Sequence, residues 1–184
     1  MSHERSNLIL TGMPGAGKST VGVILAKRLG FGFVDTDLLI QMRTGKLLQE
    51  TIDSDGTAAF RRLEEQVLLE CNVCNAVVAT GGSAIYSEAA MRHLAAIGTL
   101  IFLDVPLDEL EQRLHDMESR GLVIDPGTGL AELYAERLPR YRHWAEITID
   151  EGGKNLEEVV EEICIRVKKE LTDSGVPPVR QPAP

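Results

Sequence analysis

The chain has 184 residues, 43% hydrophobic and 26% charged, with a formal net charge of −9. That length suits one domain around one core, and an acid excess with scattered Lys and Arg argues against a nucleic-acid-binding face. No apolar run approaches the roughly 20 residues of a membrane span, and the N-terminal MSHERSN lacks the apolar stretch of a secretory signal. Cytoplasm is the default expectation, and a monomer is expected. Cys71, Cys74 and Cys164 are too few for a disulfide framework. The Cys71–Cys74 pair has no second pair to complete a metal site, so all three read as small buried apolar residues.

In chain order, Asn7–Thr11 is a short apolar run of the buried-strand kind. A Gly-rich turn follows, and Lys18–Leu29 carries Val21, Ile24, Leu25 and Leu29 on one helical face, with Gly30 as its stop. Gly32–Asp35 reads as a second strand. Ile40–Thr51 reads as a helix or helix pair broken near Gly45, and Thr57–Leu69 as a helix with Phe60, Leu63, Val67 and Leu68 inward. Ala76–Ala79 is a third strand running into Gly81-Gly82-Ser83. Ser87–Ala96 is a helix with Ser87 as N-cap. Thr99–Val105 is the clearest strand, and Leu107–Met117 is helical after Pro106. Glu118–Gly129 has glycines, a proline and no period, as a mobile lid should. Leu130–Arg142 is helical, Ala145–Asp150 a last strand and Leu156–Leu171 a last helix. The pattern gives one domain over residues 1–172, with a Pro-rich, disordered tail over 173–184. Strands alternating with helices make an α/β fold with a parallel sheet covered on both faces, and ligands of such sheets sit at the carboxyl ends of the strands.

Gly12-Met13-Pro14-Gly15-Ala16-Gly17-Lys18-Ser19 matches the P-loop pattern G-x-x-x-x-G-K-[ST]. Such a loop wraps backbone N–H groups around phosphate oxygens, in conformations glycine tolerates best. The helix that follows aims its positive end at the same oxygens. Lys18 is placed for the β- and γ-phosphates, Ser19 for magnesium, and Thr20 completes the nucleotide-binding run. The chain has no Asn-Lys-x-Asp for a guanine base, and Leu103-Asp104-Val105 is a weak match to the acidic strand of motor ATPases. Small size and these absences favour a metabolite or nucleotide kinase using ATP and Mg²⁺.

Further features follow in order: Asp35-Thr36-Asp37 after the second strand, Phe60-Arg61-Arg62-Leu63-Glu64, Gly81-Gly82-Ser83 after the third, Arg120-Gly121-Leu122, and Glu136-Arg137-Leu138-Pro139-Arg140-Tyr141. In this order and spacing the chain resembles the shikimate kinases, from about Asn7 to about Leu171. The resemblance implies a three-layer P-loop kinase fold, with a five-stranded parallel sheet and a mobile lid over about 118–129. It also implies transfer of the ATP γ-phosphate to the 3-hydroxyl of shikimate. Asp35 then supports magnesium through water, and Asp37 holds the acceptor hydroxyls and is the candidate base. Arg61 and Arg137 bind the acceptor carboxylate beside Gly81 and Gly82. Arg120 of the lid faces the phosphates, and Arg113 and Asn155 lie at the adenine. Arginine suits a carboxylate because its planar fork gives two hydrogen bonds. Two positions depart from the family pattern: Ser83 stands where a third glycine is usual, and Gly121 where the lid usually has proline. The alternatives are a related kinase of another hydroxy acid or metabolite, a nucleoside-monophosphate kinase, or a nucleotide-binding module without turnover. Taken singly, Asp35 and Asp37 also read as helix caps, Arg61 as a solvated helix residue, and Arg140 and Arg142 as surface residues.

Overall fold

The computed structural model describes residues 5–115 and 129–173. Of the expected lid over about 118–129, residues 118–128, with Arg120, lie outside the described residues, as does the tail beyond 173, while Gly129 caps the helix that follows. Five parallel strands, β1 (Asn7–Thr11), β2 (Gly32–Asp35), β3 (Ala76–Ala79), β4 (Gly98–Asp104) and β5 (Ile147–Asp150), form one sheet in the order β2-β3-β1-β4-β5. Every residue of β1 and β3 is buried, which explains the apolar Leu8–Leu10 and Ala76–Ala79, while the buried polar Asn7 and Thr11 at the ends of β1 are hydrogen-bonded. The chain leaves β1 for β2 on one side and crosses after β3 to β4 on the other. That reversal opens a crevice beyond the carboxyl ends of the central strands.

The layers on the sheet include α1 (Lys18–Leu29), α5 (Glu88–Ile97), α6 (Leu107–His115), α7 (Leu130–Trp144) and α8 (Leu156–Asp173). The main core joins them to the sheet through residues such as Leu10, Leu25, Met91, Leu94, Ile101 and Ile163. A smaller apolar cluster, Ile40, Phe60 and Val67, ties together α2 (Thr36–Thr44), α3 (Leu48–Asp55) and α4 (Thr57–Leu69). This second cluster fixes the arm that carries Asp37 and Arg61.

Four local expectations are corrected. Helix α2 begins at Thr36 rather than Ile40, because Asp35 caps it: Asp35 Oδ1 accepts from the Asp37 and Leu38 amides. The break near Gly45 is real, and Gly45 closes α2 in the left-handed conformation (φ 68°). On α4 the fully inward positions are Phe60, Glu64, Val67 and Leu68, so Glu64 takes a core place and Leu63 is only partly buried. Helix α7 extends to Trp144, and β5 starts only at Ile147.

Candidate active site

The P-loop links β1 to α1. Gly12 adopts φ 150°, and a Cβ there would lie 2.9 Å from the Leu103 carbonyl oxygen, so β4 leaves no room for a side chain. Gly17, at φ 82°, caps α1 without a side-chain bond, and no acid lies in the first turn. The positive end of α1 is thus left for an anion. Lys18 is 9% exposed, and its Nζ donates to the Gly12 and Met13 carbonyls at 2.8 and 2.9 Å. Burial lowers its ammonium to about 8, against the opposing charges of Asp37 and Asp35.

Ser19 Oγ donates to Asp35 Oδ2 at 2.6 Å. Asp35 therefore both caps α2 with one oxygen and faces the P-loop with the other. Asp37 is the second residue of α2, and burial raises its carboxyl to about 6, with Lys18 pulling it down and Asp35 pushing it up. Across the crevice, Gly81 donates its N–H to Thr36 Oγ1 at 3.1 Å. A Cβ at Gly81 would lie 2.2 Å from Glu64 Oε1 and 2.8 Å from Asp37 Oδ1, so two carboxylates close on this glycine. A Cβ at Gly82 would lie 3.0 Å from Pro14 Cδ and 3.1 Å from Arg137 Nη1. The glycine pair is the place where the P-loop, α4 and α7 approach one another.

Arg137 is fully buried, which for an arginine requires partners. Its Nη1 donates to the Gly82 carbonyl and its Nε to Tyr86 Oη, both at 3.2 Å. Tyr141, four residues on, donates to the same Gly82 carbonyl at 2.6 Å and stacks on Phe102 of β4 at 5.0 Å. Arg61 lies over the Tyr86 ring, 4.4 Å from its centroid. The structure thus brings Arg61 and Arg137 to one place, beside Asp37, Gly81 and Gly82. Ser83 has φ −96°, so the extra Cβ carries no left-handed strain, and its hydroxyl donates to Glu64 Oε2 at 2.5 Å. Glu64 Oε1 is buried with no hydrogen-bond partner. Burial pushes the Glu64 carboxyl up to about 7, opposed by the Ser83 bond and, more weakly, by Arg137 and Arg61.

A cleft of about 420 Å³ opens at the other side of the P-loop, lined by Gly15, Thr20, Arg113, Glu151, Lys154 and Leu156 among others. Arg113 Nη1 donates to Glu151 at 3.1 Å, and its Nη2 to Glu109 at 3.3 Å. Asn155 does not line this cleft; its side-chain oxygen caps α8, accepting from Glu157 and Glu158 at 2.9 and 3.1 Å. Asp104 ends β4 and pairs with Arg142.

Three residues at the site have neighbours that the sequence reading did not anticipate. Glu64 had a usable signal, since an acid at 60, 64, 67, 68 spacing lies on the apolar stripe of α4. Tyr86 and Arg140 had none: their approach to each other, 5.2 Å from guanidinium to ring centroid, depends on how α7 packs.

A model of the family described as shikimate kinase matches residues 14–168. A shikimate kinase of Paracidovorax citrulli is 38% identical over 174 residues, 91% of this chain and 95% of that protein. One from Thiobacillus denitrificans is 41% identical over 156 residues, 83% of this chain and 85% of the relative. The structure of shikimate kinase from Acinetobacter baumannii in complex with shikimate superposes with a TM-score of 0.84 at 30% identity, covering 91% of this chain and 96% of that one. With this match along most of its length, and with the P-loop and the Asp-Thr-Asp, Gly-Gly and Glu-Arg motifs gathered on one edge of the sheet, the chain belongs to the shikimate kinase family.

Proposed function

We propose that this chain transfers the γ-phosphate of ATP to the 3-hydroxyl of shikimate, with Asp37 as base and Arg61 and Arg137 as the carboxylate clamp. The observation that carries the reading is the convergence of Lys18, Asp37 and the buried Arg137 around Gly81 and Gly82. Phosphoryl transfer depends mainly on positioning and charge neutralisation. The P-loop amides and the N-terminus of α1 hold the phosphate oxygens. Lys18 exchanges its two carbonyl partners for those oxygens. Asp37, held to about 6, is ionised at neutral pH and accepts the proton of the attacking hydroxyl. Arg61 and Arg137 orient the acid so that this hydroxyl faces the nucleotide. Arg120, outside the described residues, is assigned to the phosphates by the family resemblance alone, and Arg113 is assigned to the adenine on the cleft it lines.

The donor set fits magnesium. Ser19 Oγ and Asp35 Oδ2 are hard oxygen ligands lying side by side, and Mg²⁺ needs only one or two such groups beside phosphates and water. Ser19 would hold it directly and Asp35 through water; bound there, it neutralises charge on the β- and γ-phosphates. Among the described residues no helix is long and apolar enough to cross a membrane, and we place the enzyme in the cytoplasm as a monomer.

The test is an ADP-release assay with shikimate beside a panel of other hydroxy acids and nucleoside monophosphates. Release that depends on shikimate and yields its 3-phosphate supports the reading. Turnover with another acceptor and not with shikimate rejects it.

A further inference from the structure

The short 3-10 turn Ala84–Tyr86 bonds to both arms of the acceptor site. At its start Ser83 donates to Glu64 of α4 at 2.5 Å, and at its end Ser87 donates to Glu65 of α4, also at 2.5 Å. In between, Tyr86 Oη donates to Glu136 Oε1 at 2.9 Å and accepts from Arg137 Nε at 3.2 Å, both on α7. The ring of Tyr86 meets three guanidinium groups: Arg61 at 4.4 Å, Arg137 at 5.2 Å and Arg140 at 5.2 Å from its centroid. Tyr86 belongs to neither apolar cluster among the described residues, so its ring is not there to fill the core.

Three guanidinium groups gathered at one ring need their places fixed, and an aromatic face attracts cations through its quadrupole. We infer that Tyr86 is a positioning residue for acceptor binding: its ring lies against Arg61 and Arg137 and its hydroxyl accepts from Arg137, and together these contacts set both guanidinium groups in place for the acceptor carboxylate. The inference rests on the reading of Arg61 and Arg137 as the carboxylate clamp.

The test compares Tyr86→Leu, Tyr86→Phe, Arg61→Ala and the double variant Tyr86→Leu/Arg61→Ala in steady-state kinetics with shikimate and ATP varied separately. Tyr86→Leu should raise the shikimate KM about tenfold and leave the ATP KM within about twofold, since it removes the cation–π face. Tyr86→Phe keeps the face and loses only the hydroxyl, so its shikimate KM should rise about threefold. The double variant should be less impaired than the product of the single effects, because the two residues act together. An unchanged shikimate KM in Tyr86→Leu, with Arg61→Ala strongly impaired, overturns the inference and spares the clamp. Unchanged values in both variants overturn the clamp and the inference together. An equal rise in both KM values for Tyr86→Leu marks a general structural role and also overturns it. If Tyr86→Leu fails to fold, Tyr86→Phe decides, and a shikimate KM equal to that of the wild type counts against the inference.

Discussion

Ser83 Oγ donates to Glu64 Oε2 over 2.5 Å, and each residue is only 2% exposed. The hydroxyl that departs from the family's glycine is therefore turned onto α4. Ser83→Ala would leave both Glu64 oxygens without a partner, since Oε1 already has none. Loss of a hydrogen bond to a buried charge costs about 1–3 kcal/mol. Chemical denaturation at pH 8 should show a loss of this order, and a smaller one at pH 5.5, where the Glu64 carboxyl is protonated. Equal losses at the two pH values would mean that the bond does not favour the ionised form.

The pH dependence of stability follows from the same carboxyl. Its folded-state pKa of about 7 lies above the ordinary 4.5. Between these values the folded chain holds a proton that the unfolded chain has released, so rising pH through this window lowers stability. Glu64→Gln should flatten that decline while keeping an acceptor for Ser83. Denaturation midpoints measured from pH 4.5 to 8 check this, and a slope unchanged in the variant would assign the decline to other groups.

Lys18 is lowered to about 8 because it is buried before the nucleotide arrives. Above that pH the free enzyme carries a neutral amine, and binding the anionic phosphates must bring in a proton. ATP affinity should thus weaken as pH rises past about 8, with proton uptake visible in calorimetry in buffers of different ionisation heat. Lys18→Ala should lower kcat by about a hundredfold or more while the chain stays folded. A variant with near-normal kcat would remove Lys18 from the mechanism.

Ser19→Ala should raise the Mg²⁺ concentration for half-maximal activity, because it removes the hydroxyl that stands 2.6 Å from Asp35. Titration of activity with Mg²⁺ at fixed ATP is the check. An unchanged metal dependence would show that Ser19 is not a ligand.

The parallel sheet and the nucleotide loop were legible because local chemistry dictates them. Unbroken apolar runs make buried parallel strands, and the P-loop pattern carries its glycines where positive φ and close packing demand them. The start of α2 was placed too late because the apolar pattern begins only at Leu38, although the capping sense of Asp35 was legible and its Oδ1 does accept from the Asp37 and Leu38 amides. Arg61 read singly looked like a solvated helix residue, and the joint pattern of motifs pointed instead to the acceptor; in the structure it shares the Tyr86 ring with Arg137. Leu63 was placed inward because apolar periodicity does not count an acid, whereas Glu64 takes the buried position, and such departures from local pattern concentrate at functional sites. Arg140 is exposed in the structure as expected, but the tyrosine it faces is 54 residues earlier, beyond the reach of periodicity.

The central claim is that Arg61 and Arg137 recognise the carboxylate of the acceptor. Replacing the ligand's charge tests it without disturbing a buried arginine. The wild-type enzyme should be assayed with shikimate and with its carboxamide analogue, both with ATP saturating. The carboxamide keeps every hydroxyl and removes only the charge that the guanidinium groups face. Its kcat/KM should be lower by about a hundredfold or more, the scale of losing a charge-paired hydrogen bond in a desolvated site. Equal kcat/KM values for the two acceptors would contradict the account.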